Sequence, residues 1–133
     1  MLARLSFILL SLFFGGKLLA QDQANKCSIF HEGKFKLVST VSGKDYIITR
    51  TKKYQTEQEE GDAQEYVFKI KWIDDCTYEL RPYKVPADFK KSWSKKDVLV
   101  VEIREVEGNK CTCYAQFKKT GSKVTITHLE KIN

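Results

Sequence analysis

The stretch EYVFKIKWIDDCTYELRPY, Glu65 to Tyr83, alternates apolar and polar residues on both sides of an Asp-Asp pair. That period of two is what a half-buried antiparallel hairpin requires. Tyr66, Phe68, Ile70 and Trp72 fall on one face, and Lys69 and Lys71 on the other. After the turn at Asp74-Asp75, Cys76, Tyr78 and Leu80 oppose Thr77, Glu79 and Arg81. The same period runs along the chain. GKFKLVSTV groups Phe35, Leu37 and Ser39 ahead of a turn at Ser42-Gly43-Lys44. DYIITRTKKYQTE is long enough for one bent strand or two, and its polarity beyond Ile48 suggests a sheet edge or a solvated rim. Residues 84–97 contain Pro86 and break the pattern, so they read as a loop with one helical turn. The runs DVLVVEIREV, KCTCYAQFKK and KVTITHLEKI then form a meander joined at Glu107-Gly108-Asn109 and Thr120-Gly121-Ser122.

Seven or eight strands with short connections predict an all-β fold, an antiparallel up-and-down small barrel or half-open barrel of lipocalin-like type. The inward face is read as Phe35, Leu37, Tyr66, Phe68, Ile70, Trp72, Tyr78, Leu80, Leu99, Val101 and Ile103. These residues are the core, and in part candidate contacts for a small apolar ligand. At this chain length a filled interior is expected rather than a cavity. A β-sandwich is the alternative, and it needs Greek-key connections that such short turns do not supply.

The 133-residue chain opens MLARLSFILLSLFFGGKLLAQDQ, in which Arg4 precedes an apolar run and Ala20 offers a small residue before Gln21. This reads as a signal peptide over residues 1–20. The run from Leu5 to Phe14 is about half the ~20 residues of a spanning helix, which argues against a membrane anchor. Lys26 before Cys27 argues against a lipid-modified cysteine. The expectation is an exported protein, periplasmic or extracellular, with an N-terminal segment over residues 21–33 and one domain over 34–133. Without Arg4 and Lys17 the formal charge falls from +6 to +4, so part of the basicity belongs to the leader.

All four cysteines follow the leader, and export favours disulfides over free thiols. In a strand, Cys111 and Cys113 emerge on one face roughly 6.5–7 Å apart, at or beyond the usual limit for a bond between them. Strand geometry therefore favours separate bonds from Cys111 and Cys113 to Cys27 and Cys76. A redox-active CxC is one alternative, and a metal site recruiting His31 or His128 is another. Both histidines stand alone in sequence, and His128 reads as a barrel-rim residue.

CSIFHEGKFKL, Cys27 to Leu37, and KWIDDCTYELRPY, Lys71 to Tyr83, together with Ile48-Thr49-Arg50, resemble a group of small exported β-domain proteins of Bacteroidetes. The resemblance runs to Tyr83. The group is similar to lipocalin-like domains in the Gly-x-aromatic entry to its first strand, here Gly33-Lys34-Phe35 with phenylalanine in place of the more typical tryptophan. Relatives sometimes carry a topoisomerase label, which a small domain without a strand-passage tyrosine site or an ATP-binding motif does not support. The resemblance implies that Cys27 and Cys76 form the framework bond, with Cys111 and Cys113 as an addition.

No serine sits in a nucleophile elbow and no glycine-rich loop precedes a helix, so neither an enzyme nor a cofactor is expected. Asp74-Asp75 serves a turn, and Glu57, Glu59 and Glu60 read as a solvated acidic loop ahead of Gly61-Asp62. Lys90, Lys91, Lys95 and Lys96 surround Trp93, a cluster suited to anionic lipid head groups or a polyanion; the plainer reading is a loop whose tryptophan caps a barrel end. Export makes nucleic acid an improbable partner. The chain thus reads as a disulfide-stabilised binding protein for a small apolar ligand or an envelope partner. A purely structural or interaction domain and a CxC thiol-disulfide protein are the alternatives.

Overall fold

The computed structural model of the chain describes residues 26–38, 43–119 and 121–133. The leader read over residues 1–20 lies outside them, as do Ser39, Ser42 and Thr120. Eight strands follow in order: β1 Gly33–Val38, β2 Asp45–Arg50, β3 Tyr54–Glu59, β4 Glu65–Trp72, β5 Thr77–Lys84, β6 Leu99–Glu107, β7 Lys110–Phe117 and β8 Thr125–Lys131. Each pairs antiparallel with the next, and β1 pairs β8 from Phe35 opposite Lys131 to Val38 opposite His128. The sheet therefore closes into a lipocalin-like up-and-down barrel. DYIITRTKKYQTE makes two strands rather than one. The chain reverses between Thr51 and Tyr54, where the Thr51 amide donates to the Tyr54 carbonyl at 2.9 Å.

Successive side chains of a strand face opposite sides of the sheet, and the barrel turns this period into an inside and an outside. All eleven inward residues read from the sequence lie in or against the interior cluster, which also takes Ile48, Cys111, Cys113 and Leu129. Closure leaves no edge to blunt, so the polarity beyond Ile48 has a different origin from the one expected. Arg50 and Gln55 are 3 % and 2 % exposed, at the ends of β2 and β3 that meet the barrel floor. Within the polar run, Arg50 and Gln55 belong to the interior wall, while Thr51, Lys52 and Lys53 are exposed at the turn.

That floor is the N-terminal segment. A single 3-10 turn, Ser28–Phe30, runs beneath the strands and carries Phe30 to full burial against Phe35, with ring centroids 6.0 Å apart. Two attachments hold it. Cys27 is bonded to Cys76 in the β4–β5 connection, with Cα atoms 5.3 Å apart. Lys131 of β8 donates through Nζ to the carbonyls of Ile29 and Glu32 at 2.8 and 3.2 Å. The pairing is the one the resemblance implies, and it corrects the pairing favoured by strand geometry. Cys76 meets Cys27 in the β4–β5 connection, whereas Cys111 and Cys113 are buried on β7 and their sulfurs remain thiols. Asp74 closes the hairpin by accepting from the Cys76 amide at 2.9 Å, the turn role expected of it.

The floor also explains Gly33. Its φ of +123° is one that side-chain-bearing residues rarely adopt, and a Cβ there would come within 2.5 Å of the Asn133 carbonyl oxygen. The Lys34 amide donates to that same oxygen at 2.8 Å, tying the first strand to the end of the chain. Gly33→Ala is therefore expected to destabilise the barrel by roughly 1–3 kcal/mol, the usual cost of a strained backbone position. A urea midpoint equal to that of the wild type would show that the junction yields without cost.

Candidate functional site

The barrel interior is not filled. A cavity of about 390 Å³ runs from Arg50, Gln55 and Tyr78 above the floor to Leu37, Tyr46, Trp93 and Phe117 at the far end. The expectation of a solid core fails because β7 and β8 contribute small side chains. Cys113, Ala115, Thr125 and Thr127 line the wall where larger residues would close the space. Leu37, Ile48, Leu80, Leu99, Val101 and Leu129 supply its apolar surface. Of the core residues read as candidate ligand contacts, Leu37, Tyr78 and Leu80 line this space. Phe35, Phe68, Ile70, Tyr66 and Trp72 instead build the floor and the walls around it.

Polar chemistry gathers at the floor. Arg50 donates to Gln55 Oε1 at 2.7 Å, to the Phe30 carbonyl at 2.8 Å and to the Tyr78 hydroxyl at 2.5 Å. All three acceptors are uncharged. The guanidinium carbon also lies 4.5 Å from the Tyr78 ring centroid and 5.1 Å from that of Phe35. A buried cation is costly unless paired and hydrogen-bonded, and here the compensation comes from dipoles and ring faces. Gln55 passes the contact on, donating through Nε2 to Glu57 Oε1 at 2.8 Å. Glu57 borders on the cavity and is not part of a solvated acidic loop. Enclosure by the barrel pushes its carboxyl pKa up, against the opposing effects of the Gln55 hydrogen bond and the Arg50 charge.

Tyr78 connects this network to β7. Burial holds its hydroxyl protonated well above the ordinary range, with Arg50 opposing. Cys111 and Cys113 stand with sulfurs 3.8 Å apart. The hydrogen bond from Cys111, then the Arg50 charge and the Tyr78 hydroxyl, hold the Cys113 thiol below its usual pKa despite its burial. The same bond with Cys113, helped by burial, pushes Cys111 up.

The other end is covered rather than plugged. A four-residue helix, α1 Phe89–Ser92, leads into Trp93, whose ring stacks 4.8 Å from Phe68 and meets Phe117 edge-on at 5.2 Å. The indole Nε1 donates to the Asp97 carbonyl at 3.0 Å. The Asp97 carboxylate accepts from the Ser94 amide and pairs with Lys119 at 3.2 Å, which lowers its pKa. Lys90, Lys91, Lys95 and Lys96 are exposed around this cover, with Lys91 3.7 Å from Asp88.

The histidines lie elsewhere. His31 stacks on Trp72 with ring centroids 3.8 Å apart, and its Nε2 donates to the Asp75 carbonyl at 2.7 Å. His128 is exposed on the outer wall, with Nδ1 3.4 Å from the Thr112 hydroxyl. Neither is brought to the cysteines, and among the described residues no group of three or more His, Cys, Asp or Glu is placed to hold a metal ion. No helix among the described residues is long and apolar enough to cross a membrane.

Arg50, Gln55 and Glu57 were absent from the residues expected to form a site. Their signal was available, because the period of two that places Ile48 inside also places Arg50 inside. No family model, curated protein or solved structure matches the chain.

A raised carboxyl pKa stabilises the fold below its unfolded value, and that stabilisation is lost as pH rises through the folded value. Wild-type stability should therefore grow as pH falls from neutral toward 4.5, the ordinary value for Glu57. Glu57→Gln should lose that part of the pH dependence. Urea midpoints at both pH values check this; parallel profiles for the two proteins would count against an enclosed, titrating Glu57.

Proposed function

We propose that the protein is a carrier or capture protein for a small amphiphile with an acidic head. The observation that carries this reading is the Arg50 guanidinium, buried in the floor of a cavity and bonded to neutral groups alone. A guanidinium has five N–H donors, more than the three bonds seen here use, and an anion in the cavity would supply a directly bonded counter-charge, which Glu57, held off by Gln55, does not. The apolar walls between Arg50 and Trp93 suit the rest of such a ligand, and the cavity volume falls in the usual range of small-molecule sites, roughly 300–1,000 Å³. The four lysines at the covered end favour the approach of an anion there.

The leader at residues 1–20 supports an exported, periplasmic or extracellular setting, as does the resemblance to small exported Bacteroidetes domains. In that setting the ligand is an envelope or environmental amphiphile, and the lysine cluster is the side that faces an anionic surface.

Titration with decanoate and with decanol, followed by Trp fluorescence and native mass spectrometry, tests the reading. The acid is expected to bind about tenfold or more tightly than the alcohol, the worth of one charge-assisted hydrogen bond. Arg50→Gln should remove the preference. Equal affinity for acid and alcohol in the wild type would reject an anion site at Arg50, and failure of both to bind would reject the carrier reading.

A further inference from the structure

Ligand binding leaves the two thiols without a role. Two buried sulfurs stand 3.8 Å apart, and of the pair only Cys113 lines the cavity. Cys113 lies within hydrogen-bond distance of Cys111, and the Tyr78 hydroxyl, which lines the same cavity, receives a hydrogen bond from Arg50. The sulfur thus shares its cavity with a buried phenol and with a cation. Val101, Ala115 and Thr127 border on the same space, so a reactant reaching Cys113 meets mostly carbon.

We propose that Cys113 and Cys111 form a redox site that reduces an organic hydroperoxide admitted to the barrel, with Cys113 attacking and Cys111 resolving. The Cys113 sulfur attacks the terminal oxygen of the hydroperoxide and the O–O bond breaks. Sulfur becomes a sulfenic acid, oxidised by two electrons, and the peroxide leaves as an alcohol that takes the proton released by the Cys113 thiol. Cys111 then attacks the Cys113 sulfur, and its proton leaves with the sulfenic oxygen as water, giving one Cys111–Cys113 disulfide per hydroperoxide reduced. The lowered pKa of Cys113 beside the raised pKa of Cys111 agrees with this division of labour. The apolar wall selects an organic peroxide, and the adjacent second thiol favours resolution over an accumulating adduct.

The test uses the purified full chain with Cys27–Cys76 intact, the other thiols reduced, and cumene hydroperoxide as probe. Cleavage after Lys110 and Lys118 releases both thiols in one peptide, CTCYAQFK. In the wild type this peptide should lose two hydrogens, at a rate about tenfold or more above that of free cysteine. Cys111→Ser should stop at a sulfenic acid on Cys113, trapped by dimedone, and Cys113→Ser should stay unmodified. Tyr78→Phe, which keeps the ring and removes the donor, should slow the loss several-fold at an unchanged circular dichroism spectrum. Oxidation of Cys111 in the Cys113→Ser protein at the wild-type rate would overturn the proposal. So would a wild-type rate no greater than that of free cysteine. Neither result bears on whether decanoate binds.

Discussion

Arg50 joins parts of the molecule that the strand ladder alone would leave independent. Its three hydrogen bonds reach the 3-10 turn under the barrel, the neighbouring strand β3, and β5 on another side of the interior. A charge removed from water binds its surroundings by necessity, since each lost partner leaves a buried donor unsatisfied. The floor is held covalently from outside by Cys27–Cys76 and electrostatically from inside by Arg50. Lys131 contributes a second cation to the same turn from β8. The plugged end of the barrel is thus defined by two cations holding carbonyl oxygens, and the cavity begins where that arrangement stops.

The architecture was legible because a period of two has few other solutions. Phe35, Phe68, Ile70, Tyr78 and Val101 all went where alternation put them, and the number and lengths of the runs pointed to a closed sheet. What alternation cannot say is whether an inward polar residue is a flaw in the pattern or part of the interior. Arg50, Gln55 and Glu57 keep the period perfectly, yet their polarity made β2 and β3 look like a solvated edge. Their meaning depends on β8 returning to β1, a contact between residues about a hundred positions apart. The cavity escaped for a related reason. Its existence rests on small residues of β7 and β8 facing larger ones on β2 and β5, a volume balance that single strands do not display.

The cysteines show local geometry and topology in conflict. Spacing along β7 puts Cys111 and Cys113 near the limit for a bond with each other, but it says nothing of the hairpin that brings Cys76 to Cys27 and leaves both β7 sulfurs free. Cys76 closes a hairpin beneath the barrel, while the thiols of β7 point into it. The one disulfide is a floor anchor, and the remaining thiols answer to Tyr78 and Arg50 instead.

The two ends of the cavity differ in kind, and this has a kinetic meaning. One is sealed by a covalent tether and buried hydrogen bonds, whereas the other is covered by Trp93 on a short loop pinned through Asp97. For the ligand proposed above, entry and departure would therefore share one doorway. By microscopic reversibility, loosening that doorway would speed filling and emptying by the same factor and leave the equilibrium untouched, while on the proposed reading affinity is set at the opposite end, near Arg50. The speed of exchange at a given affinity and the selectivity would then be governed by separate parts of the chain.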